Sequence, residues 1–266
     1  MLAELKPYLD ELNRKVERSE YIKDDPVQFM YAFERKQDRE IAGFLAALMA
    51  WGRRDIVCRK VEELLGLMGF QPHDFILNYR ENESNLFTDF RHRTFKPVDI
   101  SGIMLALKRI YDIYPDFESF WADCKKQSET GQTQMMSCFH DCFFNMHDEF
   151  RKRTRKHIST PEKNGSCKRM YMFLRWCIRK DSPVDPGIWS FMNPTELLVP
   201  LDVHVARQSR KLGLLTRRAN DWKSVNELTG MLRKFDPADP VKYDFGLFGL
   251  GAMDFELPNR FYLNKV

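Results

Sequence analysis

The sequence predicts an all-α protein. Apolar residues recur at helical spacing in segment after segment, as at Leu2, Leu5, Leu9, Leu12 and Val16, or at Trp222, Val225, Leu228, Leu232 and Phe235. No stretch alternates apolar and polar positions as a half-buried strand does, and no repeat period or low-complexity tract breaks the pattern. With 266 residues, 43% hydrophobic and 21 of them Phe, the chain can bury an aromatic-rich core without staples. That core could belong to one large domain or to two small lobes.

The first helix is the amphipathic run from Leu2 to Val16. Asp25-Pro26 reads as the cap and first position of a second helix. Asp38 to Ala50 is a third and central one, apolar on most sides, and Val57 to Met68 continues the pattern as far as Gly69. Between Gln71 and Pro97 the polar residues Asn82, Ser84, Asn85, Asp89 and Thr94 predict loops. Asp99 is placed to cap a helix carrying Ile103, Ala106 and Ile110, with further helices over Asp116 to Lys125 and Gln132 to Phe150. A turn at Pro161 to Ser166, with Ser166 as helix start, leads into the Met- and aromatic-rich helix Cys167 to Arg179. Asp239-Pro240 opens a last helix, Val241 to Met253, apolar almost all round. Gly246 and Gly249, three residues apart on it, let another backbone approach closely.

The N-terminus has neither a basic start nor an apolar signal core, and the longest apolar run, Ile41 to Trp51, is too short to span a bilayer. A soluble, intracellular protein is expected. Six cysteines without a CxxC pair do not form a disulfide or zinc framework. Cys138, His140, Cys142 and His147 have metal-like composition, yet on a helix His140 points away from the two thiols, so no metal is expected there.

The net charge of +4 hides a segregation. From Phe150 to Lys180 there are eleven Lys and Arg, Arg151 and Lys152 among them, against one acid, and from Pro200 to Lys234 eight against three. Such asymmetry is the footprint of a polyanion-binding face, with nucleic acid the first partner to consider. The basic stretch Arg91 to Lys96, with Phe95 inside it, is a second place for phosphate contact or simply an exposed loop.

Two residues have chemical potential. Pro200 forces the chain to arrive extended, and the apolar positions from Val203 to Leu214, closed by Gly213, predict a helix with Asp202 at its N-cap. Lys168 falls in the first turn of its own helix, where a cation opposes the helix dipole. If the surrounding apolar residues exclude water, its amine is a candidate nucleophile. Read alone, the first is a helix cap and the second a surface lysine.

The stretch Leu198-Val199-Pro200-Leu201-Asp202-Val203-His204-Val205-Ala206-Arg207, with Arg210-Lys211-Leu212-Gly213-Leu214, resembles the aspartate-bearing region of helix-hairpin-helix (HhH-GPD) DNA glycosylases of the endonuclease III and 8-oxoguanine glycosylase superfamily. Phe44 to Asp55 resembles the superfamily's early helix and turn, and Asp239 to Gly251 its closing core helix. The hairpin is degenerate. No Leu-Pro-Gly-Val-Gly-x-Lys precedes Asp202, and the spacing of the common members' lysine lands on Pro183 and Val184. Lys168, ahead of Met170-Tyr171-Met172-Phe173-Leu174, instead resembles the upstream lysine of the archaeal 8-oxoguanine glycosylase branch, or of a bacterial family related to it.

The resemblance implies a two-lobed helical fold with a cleft between the lobes, the N-terminal helices and about 200–266 in one and about 70–195 in the other. It implies base-excision repair of damaged duplex DNA. Lys168 would form a Schiff base with the sugar of a flipped nucleotide, Asp202 would stabilise the charge developing there, and β-elimination would cut the strand. Arg53, Arg54, Arg169, His204 and Arg207 are the expected nucleic-acid contacts. No cofactor is implied, and no iron-sulfur cluster, since no four-cysteine cluster follows the last helix. A monomer in the bacterial cytoplasm, associated with the nucleoid and not with a membrane, completes the expectation. The missing hairpin glycines leave a second reading, a non-catalytic nucleic-acid-binding protein on a glycosylase-like scaffold. A helical protein-interaction module is a third.

Overall fold

The computed structural model describes residues 2–131, 134–147, 153–253 and 255–263. Among them the chain is helical, with no strand and only one isolated bridge, His92 to Phe95. It divides into two compact units. The terminal unit comprises residues 1–22 and 163–266 and the central unit residues 23–162. Residues 163–195 group with the C-terminal helices, to which the ion pairs of Arg175 and Arg179 tie them, and the helices of 23–67 group with the central unit.

Helix α1 (Leu2–Val16) opens the terminal unit and buries Leu5, Leu9, Leu12 and Val16, the stripe read from sequence. The central unit then begins with the short α2 (Gln28–Tyr31). Asp25 accepts the N–H of Val27, so it supports this turn from three residues ahead of the helix. In α3 (Lys36–Met49) every residue from Glu40 to Met49 is buried, as its nearly all-round apolar character requires. The exception, Glu40, is satisfied by Phe117 N, Glu118 N and the Tyr111 hydroxyl. Helix α4 (Arg54–Leu67) ends before Gly69, whose φ of +63° a side chain would resist.

The stretch expected as loops holds α5 (Pro72–Asn78) and a 3-10 segment, Glu81–Phe87. Pro72 sits at the helix start, and the aromatics Phe75, Tyr79 and Phe87 pack on one another. This short-range packing outweighs the polar composition. In α6 (Pro97–Ile113), Asp99 is not the cap: it lies one turn inside and accepts the N–H of Lys96. Asp116 caps α7 (Phe117–Thr130), and α8 (Met135–Phe144) ends earlier than expected. The ends of the predicted helix Gln132 to Phe150 lie outside the described residues, as do Arg151 and Lys152 of the basic window. Phe44, Phe117, Phe139, Phe143 and Trp121 form the aromatic core of this unit, Trp121 and Phe139 stacked at 3.6 Å.

The terminal unit resumes with α9 (Lys168–Ile178) and α10 (Val203–Lys211), separated by irregular chain in place of a helical hairpin. At Gly187, φ is +58°, and a Cβ there would meet Arg179 O at 2.6 Å, so the chain folds back against the end of α9. Helix α11 (Trp222–Leu232) holds the extended segment before α10 through Thr229, whose hydroxyl accepts Val199 N–H. A 3-10 turn, Pro240–Lys242, leads into α12 (Tyr243–Ala252). Its glycines do what their spacing predicts. The N–H of Gly246 donates to Asn13 of α1, and a Cβ at Gly249 would lie 2.6 Å from Val16.

Candidate active site

Asp202 is the N-cap of α10. Its backbone is extended and Oδ1 accepts the N–H of Val205 at 2.8 Å, one of the donors a helix start leaves without a partner. The far end of α10 closes on Gly213 (φ +70°), with Leu214 N–H donating to Ser209 O as in a Schellman turn. The helix is fixed sideways by α12. Gln208 Nε2 donates to Leu250 O, and His204 Nδ1 and Arg207 Nη2 both donate to Gly251 O, at 2.9 and 3.0 Å. A Cβ on Gly251 would lie 2.7 Å from His204 Cβ, so only glycine allows this approach.

Lys168 begins α9 without the expected Ser166 cap. The N-cap is Cys167, fully buried and in the left-handed region at φ +51°. A non-glycine residue there costs roughly 1–2 kcal/mol. The loop ahead is pinned by Asn164, whose carbonyl accepts Trp222 N–H and whose amide donates to Asp221, the cap of α11. Lys168 Nζ lies 3.7 Å from Asp202 Oδ2, with side chains 34% and 13% exposed. Thus the two residues singled out from sequence meet within one unit, at the starts of two helices.

Behind this pair lies a buried ionic cluster that the sequence reading did not find. Arg175, 4% exposed, pairs with Asp244 in the first turn of α12 and with Asp185 at 3.3 Å, and its guanidinium sits 4.1 Å over the Phe245 ring. Arg179 binds Asp185, Glu17 and Asp239. Burial pushes the Asp244 carboxyl up to about 7, against the pull of Arg175 and Lys168 and with the repulsion of Asp202 and Asp185. One signal was available in the sequence. Arg175 interrupts the apolar run Met170 to Ile178 and Asp244 an otherwise apolar helix, the mark of a buried pair.

Several basic residues of the two charged windows are buried or paired with acids. Arg175 and Arg179 are internal, Arg153 pairs with Asp99 and Arg155 with Asp141, and Arg210 and Arg217 are tied to neighbouring chain and to Asp221. Of the expected nucleic-acid contacts, Arg169, His204 and Arg207 share the terminal unit with Lys168 and Asp202. Arg169 is half-buried, and burial lowers its guanidinium to about 10, whereas Arg207 is exposed. Arg53 and Arg54 belong to the central unit, the first in a two-point contact with Asp55 and the second 3.4 Å from Asp25. A depression beside Gln71, Asp74, Asn78 and Glu83, also in the central unit, contains neither chemical residue. Cys138 and Cys142 share a helix face with their sulfurs 3.9 Å apart, and His140 bonds to Asp141 instead. Among the described residues no group of three or more His, Cys, Asp or Glu is arranged to hold a metal, and no helix is long and apolar enough to cross a membrane.

A family model described as a protein of unknown function (DUF2400) matches residues 25–253. The chain belongs to the DUF2400 family. The DUF2400 match takes in α2 to α12 and therefore both Lys168 and Asp202. No curated protein and no solved structure matches the chain.

Proposed function

We propose that this DUF2400 chain is a base-excision DNA glycosylase with AP-lyase activity, built as a helix-hairpin-helix glycosylase whose hairpin is degenerate. The observation that carries the reading is the 3.7 Å approach of Lys168 Nζ to Oδ2 of Asp202, the residue inside the stretch that resembles the glycosylase aspartate region. Damaged duplex DNA is the proposed partner, and a flipped nucleotide the substrate.

In this reading the neutral amine of Lys168 attacks C1′. The new N–C1′ bond forms as the glycosidic bond breaks and the base leaves with its electron pair. The sugar ring then opens to an imine, and loss of a C2′ proton expels the 3′ phosphate. Asp202 offsets the positive charge that builds on the sugar while the base departs. Its second oxygen, committed to Val205 N–H, fixes the carboxylate so that little reorganisation is needed during the reaction.

The test is borohydride trapping on duplexes that each carry one oxidised base or one abasic site. Wild-type protein is expected to give a covalent complex that Lys168→Ala abolishes, with DNA retention almost unchanged. No trapped species on any duplex, or trapping that survives Lys168→Ala, would sink the proposal. Salt-sensitive binding without trapping would favour a non-catalytic nucleic-acid binder instead.

A further inference from the structure

We propose that Cys138 and Cys142 on α8 form a dithiol modification site that reacts with small-molecule disulfides and closes to an intrahelical disulfide, an inference independent of the glycosylase reading. Spacing carries it. The two residues lie one turn apart on one face of the helix, their sulfurs are 3.9 Å apart, and both are half-buried rather than sealed in the core. Gln127 of α7 accepts the Cys142 thiol at 3.6 Å and is itself fixed by donating to Asp123 at 2.9 Å, so the sulfur is held in place. Of the other four cysteines, Cys124, Cys167 and Cys177 are buried. Cys58 accepts the Gln28 amide at 3.3 Å, and burial beside Asp25 pushes its thiol up to about 11, which makes it a poor nucleophile.

A small disulfide RS–SR supplies the oxidising equivalents. The Cys142 thiolate attacks one of its sulfurs, a Cys142–S–SR bond forms, and the departing RS⁻ takes up the proton that Cys142 released. Cys138 then loses its proton and attacks Cys142 Sγ, which forms the Cys138–Cys142 bond and expels the second RSH. Two protein thiols lose two electrons, and one disulfide is reduced to two thiols. The environment supports Cys142 as the first to attack. Its thiol is held below the ordinary value by Cys124 and Cys138, which donate to the thiolate, against burial and the charges of Asp123 and Asp141.

Four residues of α-helix advance about 6 Å, inside the Cα separation of roughly 4.4–6.8 Å that disulfides span. The Cβ atoms of such a pair lie about 5–6 Å apart on a helix surface, more than the ~4 Å of a relaxed disulfide. Closure therefore tightens the last turn of α8, which ends at Phe144, two residues beyond Cys142. A bond formed under that strain is readily reopened by free thiols, so the site cycles rather than locks. Phe139, between the two cysteines in sequence, stacks on Trp121 at 3.6 Å and couples the site to the aromatic core of the central unit.

The test is mass mapping of the whole chain after exposure to glutathione disulfide, in wild type, Cys138→Ser and Cys142→Ser. No Lys or Arg falls between Lys126 and Arg151, so trypsin leaves both cysteines on one peptide and Cys124 on another. In wild type that peptide is expected to lose two hydrogens, about tenfold faster than any other cysteine reacts, and to regain them in excess reduced glutathione. Cys138→Ser should instead accumulate one glutathione on Cys142, and Cys142→Ser should lose the fast phase. No reaction at either residue, faster reaction at another cysteine, a link between Cys124 and Cys142, or a glutathione that stays on Cys142 in wild type overturns the proposal. If the serine variants do not fold, the wild-type map decides by the same outcomes. DNA takes no part in this assay, so a failure of borohydride trapping leaves its result untouched, and the reverse holds too.

Discussion

Asp202 gives one oxygen to the backbone and turns the other toward Lys168: Oδ1 takes Val205 N–H at 2.8 Å, and Oδ2 lies 3.7 Å from Nζ. Under the proposed function a structural and a chemical role meet in this one side chain, and substitution can separate them. Asn caps a helix as well as Asp does. Asp202→Asn should keep thermal stability within about 0.5 kcal/mol while lowering the trapping rate about 10²- to 10³-fold. Asp202→Ala should add a loss of about 1 kcal/mol. Equal rates for Asn and Asp, measured by single-turnover kinetics, would leave the residue as a cap only.

Gly251→Ala tests whether the packing of α10 on α12 positions the site. The added Cβ would lie 2.7 Å from His204 Cβ and must push the two helices apart. A loss of roughly 1–3 kcal/mol is expected. The trapping rate should fall as well, because the displaced helix carries Asp202, while DNA retention stays the same. Thermal unfolding and trapping measured side by side decide the matter.

Arg175→Met leaves Asp244 and Asp185 facing each other without their shared cation. Breaking a buried pair in this way typically costs about 3–5 kcal/mol. Adding Asp244→Leu should recover part of that loss, since it removes one stranded carboxylate. Urea unfolding of the two variants measures the difference.

Acid stability of the central unit should depend on Asp99. Burial alone would raise its carboxyl, but His157, the Thr154 hydroxyl and the Lys96 backbone N–H outweigh that and hold it at about 2. A depressed acid contributes stability that is present above the unfolded value of 3.8 and lost as pH falls through 2. The contribution is roughly 2 kcal/mol. Protection factors of α6 amides should drop by about that equivalent between pH 5 and pH 2. Asp99→Asn should show the lower protection at pH 5 and little further pH dependence; an unchanged pH profile would count against the assignment.

How much of this could be read beforehand depended on the range of the forces involved. Local signals worked well. The Leu5 to Val16 stripe, the Asp202 cap, the Gly213 terminus and the close-packing glycines of α12 each depend on residues a turn or two apart. Residues 71–97 misled because polar composition predicts loops, whereas Pro72 and three mutually packed aromatics favour helix. The basic windows were legible only in part, for a different reason. Formal charge along the chain does not reveal that Arg175 and Arg179 meet carboxylates as distant in sequence as Glu17, Asp239 and Asp244. Lys168 and Asp202 were legible as candidates, but their meeting, and the acid behind them, required the fold.

Because residues 23–162 interrupt the terminal unit, the segments that must pair to complete it are synthesised far apart in time. Helix α1 finds the backbone of Gly246 and Gly249 only after more than two hundred further residues have been made. The central unit, continuous in sequence, can organise while the ribosome is still at work. The apolar stripe of α1 therefore waits longest of all for its partner, which makes the first sixteen residues a natural client for chaperones and the stretch most exposed to aggregation during biosynthesis.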